Sequence, residues 1–204
     1  MEQTREQACV DELLARSARG GRVKYLTFWG HRPRADGQLG TGCLSQWWPS
    51  PFTVDGVRYA TAEHWMMAGK ARLFGDAEGE ARVLAARGPA QAKTAGRLVR
   101  GFDDATWERE RFALVVAGGV HKFGQDPVLR DYLLGTGERV LVEASPTDRI
   151  WGIGLAQDDP RAAGPASWRG LNLLGFALME ARARLREARG AGPPAGTRSG
   201  GPGT

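Results

Sequence analysis

Two side chains with complementary chemistry lie seven residues apart in the segment 61–74, which reads T-A-E-H-W-M-M-A-G-K-A-R-L-F. Most of these residues favour a helix, and Thr61 can cap it because its hydroxyl accepts from the free N–H groups of the first turn. In a helix, Glu63 and Lys70 project from one face, about 10 Å apart along the axis. A carboxylate and an amine beside Trp65 could line a pocket, but a solvated Glu/Lys stripe over a buried apolar face fits the spacing as well.

A second group of polar residues follows a run that is typical of a buried strand, residues 139–144. The loop after it, residues 145–154, reads S-P-T-D-R-I-W-G-I-G and places Asp148 and Trp151 behind the strand end. Ligand-binding groups gather on loops of this kind. The G-I-G sequence is not a dinucleotide fingerprint, because a third glycine and a following helix are missing. We therefore expect a ligand site here, although Trp151 would also suit a core position.

The hairpin that precedes the central helix is predicted by Asp55-Gly56, which separates two short β-type runs. This pair supplies the positive φ angles of a type I′ turn. The hairpin would aim the start of the central helix and bring Tyr59 close to it. Strands or extended pieces are predicted over residues 23–29, 43–48, 52–54, 57–59 and 139–144.

Apolar periodicity and capping residues predict seven helices, over residues 2–19, 61–74, 77–87, 89–99, 107–123, 127–134 and 171–189. Asp104 would cap the fifth of these, and Gly135 would follow the end of the sixth. The fourth carries Lys93 and Arg97 on roughly one side, which is either a phosphate-binding face or a solvated basic face.

The composition bounds the class of protein. The 204 residues carry a net charge of +5 with a pI near 9.7, which weakly favours anionic partners such as phosphates or nucleic acid. Cys9 and Cys43 supply neither a disulfide framework nor a metal quartet. The sequence starts without the apolar run of a signal peptide and has no apolar stretch of membrane-spanning length. These features predict a cytoplasmic protein that does not contact membranes.

The domain organisation is predicted from the same patterns. One domain would occupy residues 21–189, preceded by an N-terminal helical extension over residues 1–20. Residues 190–204 consist of Gly, Pro, Ala, Ser, Thr and Arg without an apolar anchor, which predicts a disordered tail.

Several separated motifs occur in a fixed order along the chain. They are F-W at 28–29, L-S-Q-W-W at 44–48, P-F-T-V-D-G-V-R-Y-A-T-A-E-H-W-M-M-A-G-K-A at 51–71, P-A-Q-A-K-T-A-G-R at 89–97, K-F-G-Q at 122–125, L-V-E-A-S-P-T-D-R-I-W-G-I-G at 141–154 and G-L-N-L-L-G-F-A-L-M at 170–179. Together they resemble the NADAR family, also called the YbiA-like family, over roughly residues 25–185. Its members include an N-glycosidase of early riboflavin-pathway intermediates and enzymes that remove ADP-ribose from modified guanine.

The resemblance implies an α+β fold, a mostly helical single domain with a small β-sheet. It also implies a pocket for ribose phosphate or ADP-ribose, attack at an N-glycosidic bond, and no metal or other cofactor. By motif match, the expected catalytic residues are Glu63, Lys70 and Asp148. The expected substrate-binding residues are Phe28, Gln46, Trp47, Tyr59, Trp65, Lys93, Arg97, Glu143, Trp151 and Gly152. Gln46 departs from the asparagine of many relatives, so its amide reaches one methylene further towards the sugar.

Two mechanisms fit these residues for a ribosylamine substrate. In one, a carboxylate stabilises an oxocarbenium-like centre while a second group protonates the leaving nitrogen, roles that Glu63 and Asp148 would share. In the other, the sugar opens and Lys70 attacks C1 to form a Schiff base, which is then hydrolysed. The phosphate would meet Lys93, Arg97 or the N–H groups of residues 152–154.

The sequence therefore predicts an N-glycosidase that hydrolyses ribosylaminopyrimidine 5′-phosphate intermediates of riboflavin biosynthesis, with a small phosphorylated ribosyl compound as its partner. One alternative is a hydrolase of ADP-ribosylated guanine in nucleic acid, which would be the only reading with a nucleic-acid partner. The other is a non-catalytic module that binds ADP-ribose or a nucleotide.

Overall fold

The helices and strands are defined over residues 5–19 and 23–190, which the computed structural model describes. The helices are α1 (Arg5–Ala18), α2 (Ala62–Leu73), α3 (Ala77–Leu84), α4 (Pro89–Arg97), α5 (Asp104–Gln125), α6 (Pro127–Gly135) and α7 (Leu173–Gly190). The strands are β1 (Tyr25–Phe28), β2 (Phe52–Val54), β3 (Val57–Tyr59) and β4 (Val140–Glu143). This mostly helical α+β architecture with little sheet confirms the predicted fold class.

A parallel pair of strands sets the position of the loop behind β4. β1 and β4 pair in parallel with Phe28 opposite Glu143, and the Ala144 N–H extends the ladder to the Phe28 carbonyl at 2.9 Å. Both strands end at the same edge, where open α/β sheets place their ligand sites. α7 packs against β4 and α5, so α7 covers this short sheet on one side and α5 lies against α7.

The hairpin and helix cap agree with the sequence prediction. β2 and β3 pair antiparallel, and Asp55 and Gly56 both have positive φ, 49° and 78°. Thr61 adopts an extended conformation and its hydroxyl accepts from the His64 N–H, which caps α2. The His64 ring also contacts the Thr61 hydroxyl, at 2.8 Å from Nδ1, so His64 serves the helix start.

Helix α2 is the central element of the fold. Its residues from Ala62 to Gly69 are all buried, and α3, α4, α5 and β3 pack around it. Because neighbours enclose most of this helix, it has no clear amphipathic period, and Glu63 and His64 are buried together with its apolar residues.

Several predicted boundaries were wrong. The piece expected to be extended at 43–48 is instead a 3₁₀ helix (Thr41–Leu44) followed by a turn. α3 ends at Leu84, before the predicted end. α5 begins at Asp104, and its cap is Asp103, whose carboxylate accepts from the Thr106 N–H at 2.8 Å. Because aspartates at 103 and 104 are equally good caps, only the backbone angles distinguish them.

The C-terminal part of the chain also differs from the prediction. Gly135 belongs to α6, which is capped by Thr136, and the positive φ that follows the helix falls on Gly137. α7 reaches Gly190, so the predicted tail at 190–204 lies outside the described residues apart from its first position. Over the described residues, no helix is long and apolar enough to cross a membrane.

Candidate active site

A cavity of about 320 Å³ lies at the shared end of β1 and β4, between α2, α4 and the loop behind β4. Cavities of this size hold small molecules. Its wall consists of Ser45, Gln46, Trp47, Glu63, Met66, Met67, Lys70, Lys93, Gly96, Arg97, Trp107, Glu143, Asp148, Ile150, Trp151 and Leu174. The three predicted catalytic residues and six of the ten predicted binding residues therefore share one cavity.

Glu63 is a buried carboxyl in the first turn of α2, with only 2% of its surface exposed. Its backbone N–H donates to the Gln46 carbonyl at 3.0 Å, which fixes its position against the neighbouring loop. Burial raises the pKa of Glu63 to about 7, although Lys93, Arg97 and a hydrogen bond from Trp47 lower it. The group therefore titrates near neutral pH, as a general acid or base should.

Glu143 ends β4 and supplies a second carboxyl with a raised pKa. Burial raises its pKa to about 8, and the negative charges of Asp148 and Glu63 raise it further, while Lys93 lowers it. Its backbone is held on both sides: the Glu143 N–H donates to Asn172 Oδ1, and the Glu143 carbonyl accepts from Ile153, each at 2.9 Å. This carboxyl consequently keeps its proton at neutral pH.

Asp148 organises the loop behind β4. Its Oδ1 accepts from the backbone N–H groups of Ile150 at 2.9 Å and Trp151 at 2.8 Å. Its carbonyl accepts from Gly154 at 3.0 Å. These bonds form an Asx turn that holds Trp151 on the cavity wall.

Lys70 reaches the cavity from the last turn of α2. Its Nζ lies 3.9 Å from the centre of the Phe102 ring and 5.6 Å from that of Trp107, within the range of cation–π attraction. Burial lowers the pKa of Lys70, and Asp104 opposes this effect. A lowered pKa increases the fraction of free amine, the form that attacks carbonyl carbon.

Lys93 and Arg97 place two positive charges on the same wall from α4. Both lower the pKa of Glu63, and Lys93 also lowers that of Glu143, so their charges act inside the cavity. The cavity therefore combines an amine, two protonatable carboxyls and two cations, a set that can transfer protons and bind an anionic small molecule.

Residues 27–186 match the sequence model of the NADAR domain. The chain belongs to the NADAR domain family.

Relatives and one solved structure agree with this assignment. The chain is 39% identical to the N-glycosidase R617 of Acanthamoeba polyphaga mimivirus, over 78% of this chain and 95% of that protein. It is 31% identical to a riboflavin biosynthesis protein of Vibrio vulnificus, over 72% of this chain and 36% of that protein. The NMR structure of the Escherichia coli protein YbiA superposes with a TM-score of 0.64 at 25% identity, over 85% of this chain and 95% of that structure.

Four predicted binding residues of this NADAR domain lie outside the cavity wall. Phe28 is fully buried in the core. Tyr59 packs edge-on against Trp65, whose indole N–H donates to the Leu114 carbonyl at 2.9 Å. Gly152 packs so tightly behind the wall that a Cβ there would lie 2.9 Å from the Glu143 carbonyl oxygen. Phe28, Tyr59 and Trp65 are thus buried core residues.

The backbone N–H groups expected to meet a phosphate are partly occupied. The Ile153 N–H donates to the Glu143 carbonyl at 2.9 Å, and the Gly154 N–H donates to the Asp148 carbonyl at 3.0 Å. A donor already used within the loop cannot cradle an anion without breaking that bond. Of the groups that were predicted to bind phosphate, the side chains of Lys93 and Arg97 line the cavity of this NADAR domain.

Sequence reasoning missed two positioning residues, Lys122 and Asn172. The buried Lys122 Nζ donates to the carbonyls of Cys43 at 2.6 Å and Ser45 at 2.7 Å, which folds the 41–48 segment inward and presents Gln46 and Trp47. Burial lowers the pKa of Lys122 to about 7. Lys122 lies in the motif K-F-G-Q and Asn172 in the motif G-L-N-L-L. Membership of these motifs was the one signal in the sequence that could have identified them.

Proposed function

We propose that this NADAR domain hydrolyses the N-glycosidic bond of a ribosylaminopyrimidine 5′-phosphate, of the kind formed early in riboflavin biosynthesis. The reaction class is supported by relatives named as N-glycosidases, and the pathway by a relative named as a riboflavin biosynthesis protein. The observation that carries the proposal is one small cavity that combines Lys70, protonatable carboxyls and two cations.

The positions of the cavity residues suggest a separate role for each part of such a substrate. The 5′-phosphate is paired with Lys93 and Arg97, since charge-assisted hydrogen bonds to phosphate are the strong ones. The sugar C1 faces Lys70 and Glu63, and Trp151 stacks on the base or the sugar. The volume favours a single nucleotide-sized compound, whereas a guanine within a nucleic acid would require an open surface around the site.

The lysine route suits a ribosylamine because the lone pair of its nitrogen can open the sugar ring. The free Lys70 amine then adds to C1, the aminopyrimidine leaves, and water hydrolyses the resulting iminium to ribose 5-phosphate. Burial lowers the pKa of Lys70, which increases its fraction of free amine, and the ionised form of Glu63 stabilises positive charge that develops at C1.

The test is product analysis with purified wild type, Lys70→Met and Lys24→Met. Lys24 is exposed and does not line the cavity, so it controls for loss of a lysine elsewhere. Wild type and Lys24→Met should release ribose 5-phosphate from a ribosylaminopyrimidine 5′-phosphate, and Lys70→Met should lose at least about 100-fold in rate. Borohydride should trap a covalent sugar adduct with wild type but not with Lys70→Met.

Other outcomes would contradict the proposal. Release of ADP-ribose from ADP-ribosylated guanine DNA, without cleavage of the metabolite, would assign the protein to nucleic-acid repair. Tight binding of ADP-ribose with cleavage of neither substrate would leave a binding module.

A further inference from the structure

Two carboxyl oxygens in the cavity have no hydrogen-bond partner. Among the described side chains, the buried polar atoms in this condition are Glu63 Oε1 and Glu143 Oε2, and both residues form the cavity wall. Buried polar groups are normally paired, so an unpaired one calls for a reason such as a catalytic role. Their common location makes a bound ligand the partner that both are missing.

Asp148 is committed elsewhere. Its Oδ1 already accepts two backbone N–H groups, from Ile150 and Trp151, and these bonds shape the loop. Using Asp148 as the proton donor would require the side chain to serve the loop and the substrate in the same step. Glu143 has no such second task that the described contacts show, and its Oε2 has no hydrogen-bond partner.

The backbone of Glu143 is fixed by a residue 29 positions away. Asn172 is fully buried, and its side chain bridges the Glu143 N–H through Oδ1 and the Leu141 carbonyl through Nδ2, each at 2.9 Å. Asn172 adopts a positive φ of 54° to make this bridge. A carboxyl on such a rigid strand end meets the positioning that proton transfer requires.

We infer that Glu143 donates the proton to the leaving nitrogen, whereas Asp148 is a positioning residue that holds the loop of Trp151. This inference rests on the proposed N-glycosidase function. Glu143 thus takes the role of proton donor, one of the two roles that the sequence divided between Glu63 and Asp148, and Glu63 and Lys70 remain at C1.

The proton balance closes over one turnover. As the bond between C1 and the leaving nitrogen breaks, its electron pair goes to that nitrogen, and the Glu143 proton follows. The added Lys70 amine has by then passed one proton to the ring oxygen that ring opening left as an alkoxide, so C1 remains as the Lys70 iminium. The water that adds to C1 gives one proton back to the Glu143 carboxylate, and collapse of the adduct frees the sugar and the Lys70 amine.

The groups that face Glu143 decide when it holds its proton. They are Asp148 from the loop, Glu63 from α2 and Lys93 from α4; the two acids favour the protonated form and Lys93 opposes it. With a pKa of about 8, Glu143 is protonated below that pH, so the rate should fall as pH rises through it.

The experiment compares Glu143→Gln with Asp148→Asn on a series of ribosylaniline 5′-phosphates of differing leaving-group basicity. Glu143→Gln should lower kcat about 100- to 1,000-fold, abolish the alkaline fall in the pH profile and make the rate depend more steeply on the leaving group. Asp148→Asn keeps the Oδ1 acceptor of the Asx turn, so it should leave kcat close to that of wild type. It should also keep the alkaline fall, moved to lower pH because the Asp148 charge raises the pKa of Glu143.

The opposite pattern, with the alkaline fall lost in Asp148→Asn and kept in Glu143→Gln, would overturn the inference. Infrared spectroscopy near pH 6 separates this failure from failure of the proposed function. Wild type should show a protonated-carboxyl band that Glu143→Gln lacks, whether or not the substrates are cleaved. Absence of that band difference would show that Glu143 holds no proton to give; inactivity of wild type would instead remove the reaction itself.

Discussion

At the scale of single residues, the reactivity of Lys70 depends on two opposing effects. Burial lowers its pKa, because the charged ammonium loses water. The rings of Phe102 and Trp107 favour the charged form, since the negative face of an aromatic ring attracts a cation. The same rings lie close enough to favour a positively charged iminium on that nitrogen, so they oppose the free resting amine but stabilise the proposed intermediate.

Replacement of Phe102 by Leu tests this balance. Phe102 is 40% exposed, so the change should leave the fold intact. Loss of a cation–π contact of about 1 kcal/mol should lower the pKa of Lys70 further, and Phe102→Tyr should preserve it. NMR titration of ¹³C-methylated lysines would measure the shift. An unchanged Lys70 titration in Phe102→Leu would show that the ring does not act on the amine.

At the scale of elements, the approach of α4 to α2 positions the two cavity cations. A Cβ at Gly96 would lie 2.1 Å from Met67 Sδ and 2.9 Å from Met67 Cβ, so the helices meet where only glycine fits. Gly96 directly precedes Arg97 and lies one turn from Lys93. The distance between the helices therefore fixes how far these cations extend over Glu63.

Gly96→Ala should push α4 away from α2. We expect a loss of about 1–3 kcal/mol in the free energy of unfolding, as for other overpacked sites, and a severalfold rise in KM. Gly88→Ser is the matched control, because Gly88 caps the same helix in an extended conformation with open space around it. Serine is a good cap there, so stability should be unchanged or slightly higher. Denaturant unfolding and steady-state kinetics would measure both; equal KM values in the two variants would contradict the role of α4.

At the scale of the whole molecule, the site destabilises the fold that contains it. Glu63 and Glu143 have folded-state pKa values raised to about 7 and about 8, so folding favours their protonated forms. The two protonated carboxyls therefore contribute to the free energy of unfolding. This contribution is fully present below their unfolded-state pKa near 4.5 and is lost as pH rises through their folded-state pKa values. Burial of Lys122, whose pKa is lowered to about 7, has the opposite pH dependence.

Glu63→Gln should therefore raise stability at pH 8 by on the order of 2 kcal/mol relative to wild type, and change it little at pH 5. The comparison at each pH removes the contribution of Lys122.

Asp76→Asn should change stability in the opposite direction. Hydrogen bonds from Arg100 and Gly79 lower the Asp76 pKa to about 2, so loss of this carboxylate should destabilise the protein at both pH values. Thermal unfolding at pH 5 and pH 8 would measure the stability of both variants. An effect of Glu63→Gln that is the same at both pH values would refute the raised pKa of Glu63.

Local sequence patterns determined the elements that carry the site. Thr61 before a run of helix formers was sufficient to place the start of α2, because N-capping involves only neighbouring residues. Asp55-Gly56 was sufficient for the hairpin, because positive φ angles at two successive positions restrict the residue types. Helical geometry alone directed Glu63 and Lys70 to one face, and that face does line the cavity.

The tertiary structure alone decided what each polar group can do. Whether Glu143 keeps its proton depends on burial and on charges from α2, α4 and the loop, and Asn172 fixes its backbone from 29 residues away. Packing also determines the hydrogen-bond partners of two further side chains. Asp148 shapes a turn, and Lys122 holds the loop that carries Gln46 and Trp47. Desolvation and Coulomb energies depend on distances between residues far apart in sequence, and no local pattern encodes those distances.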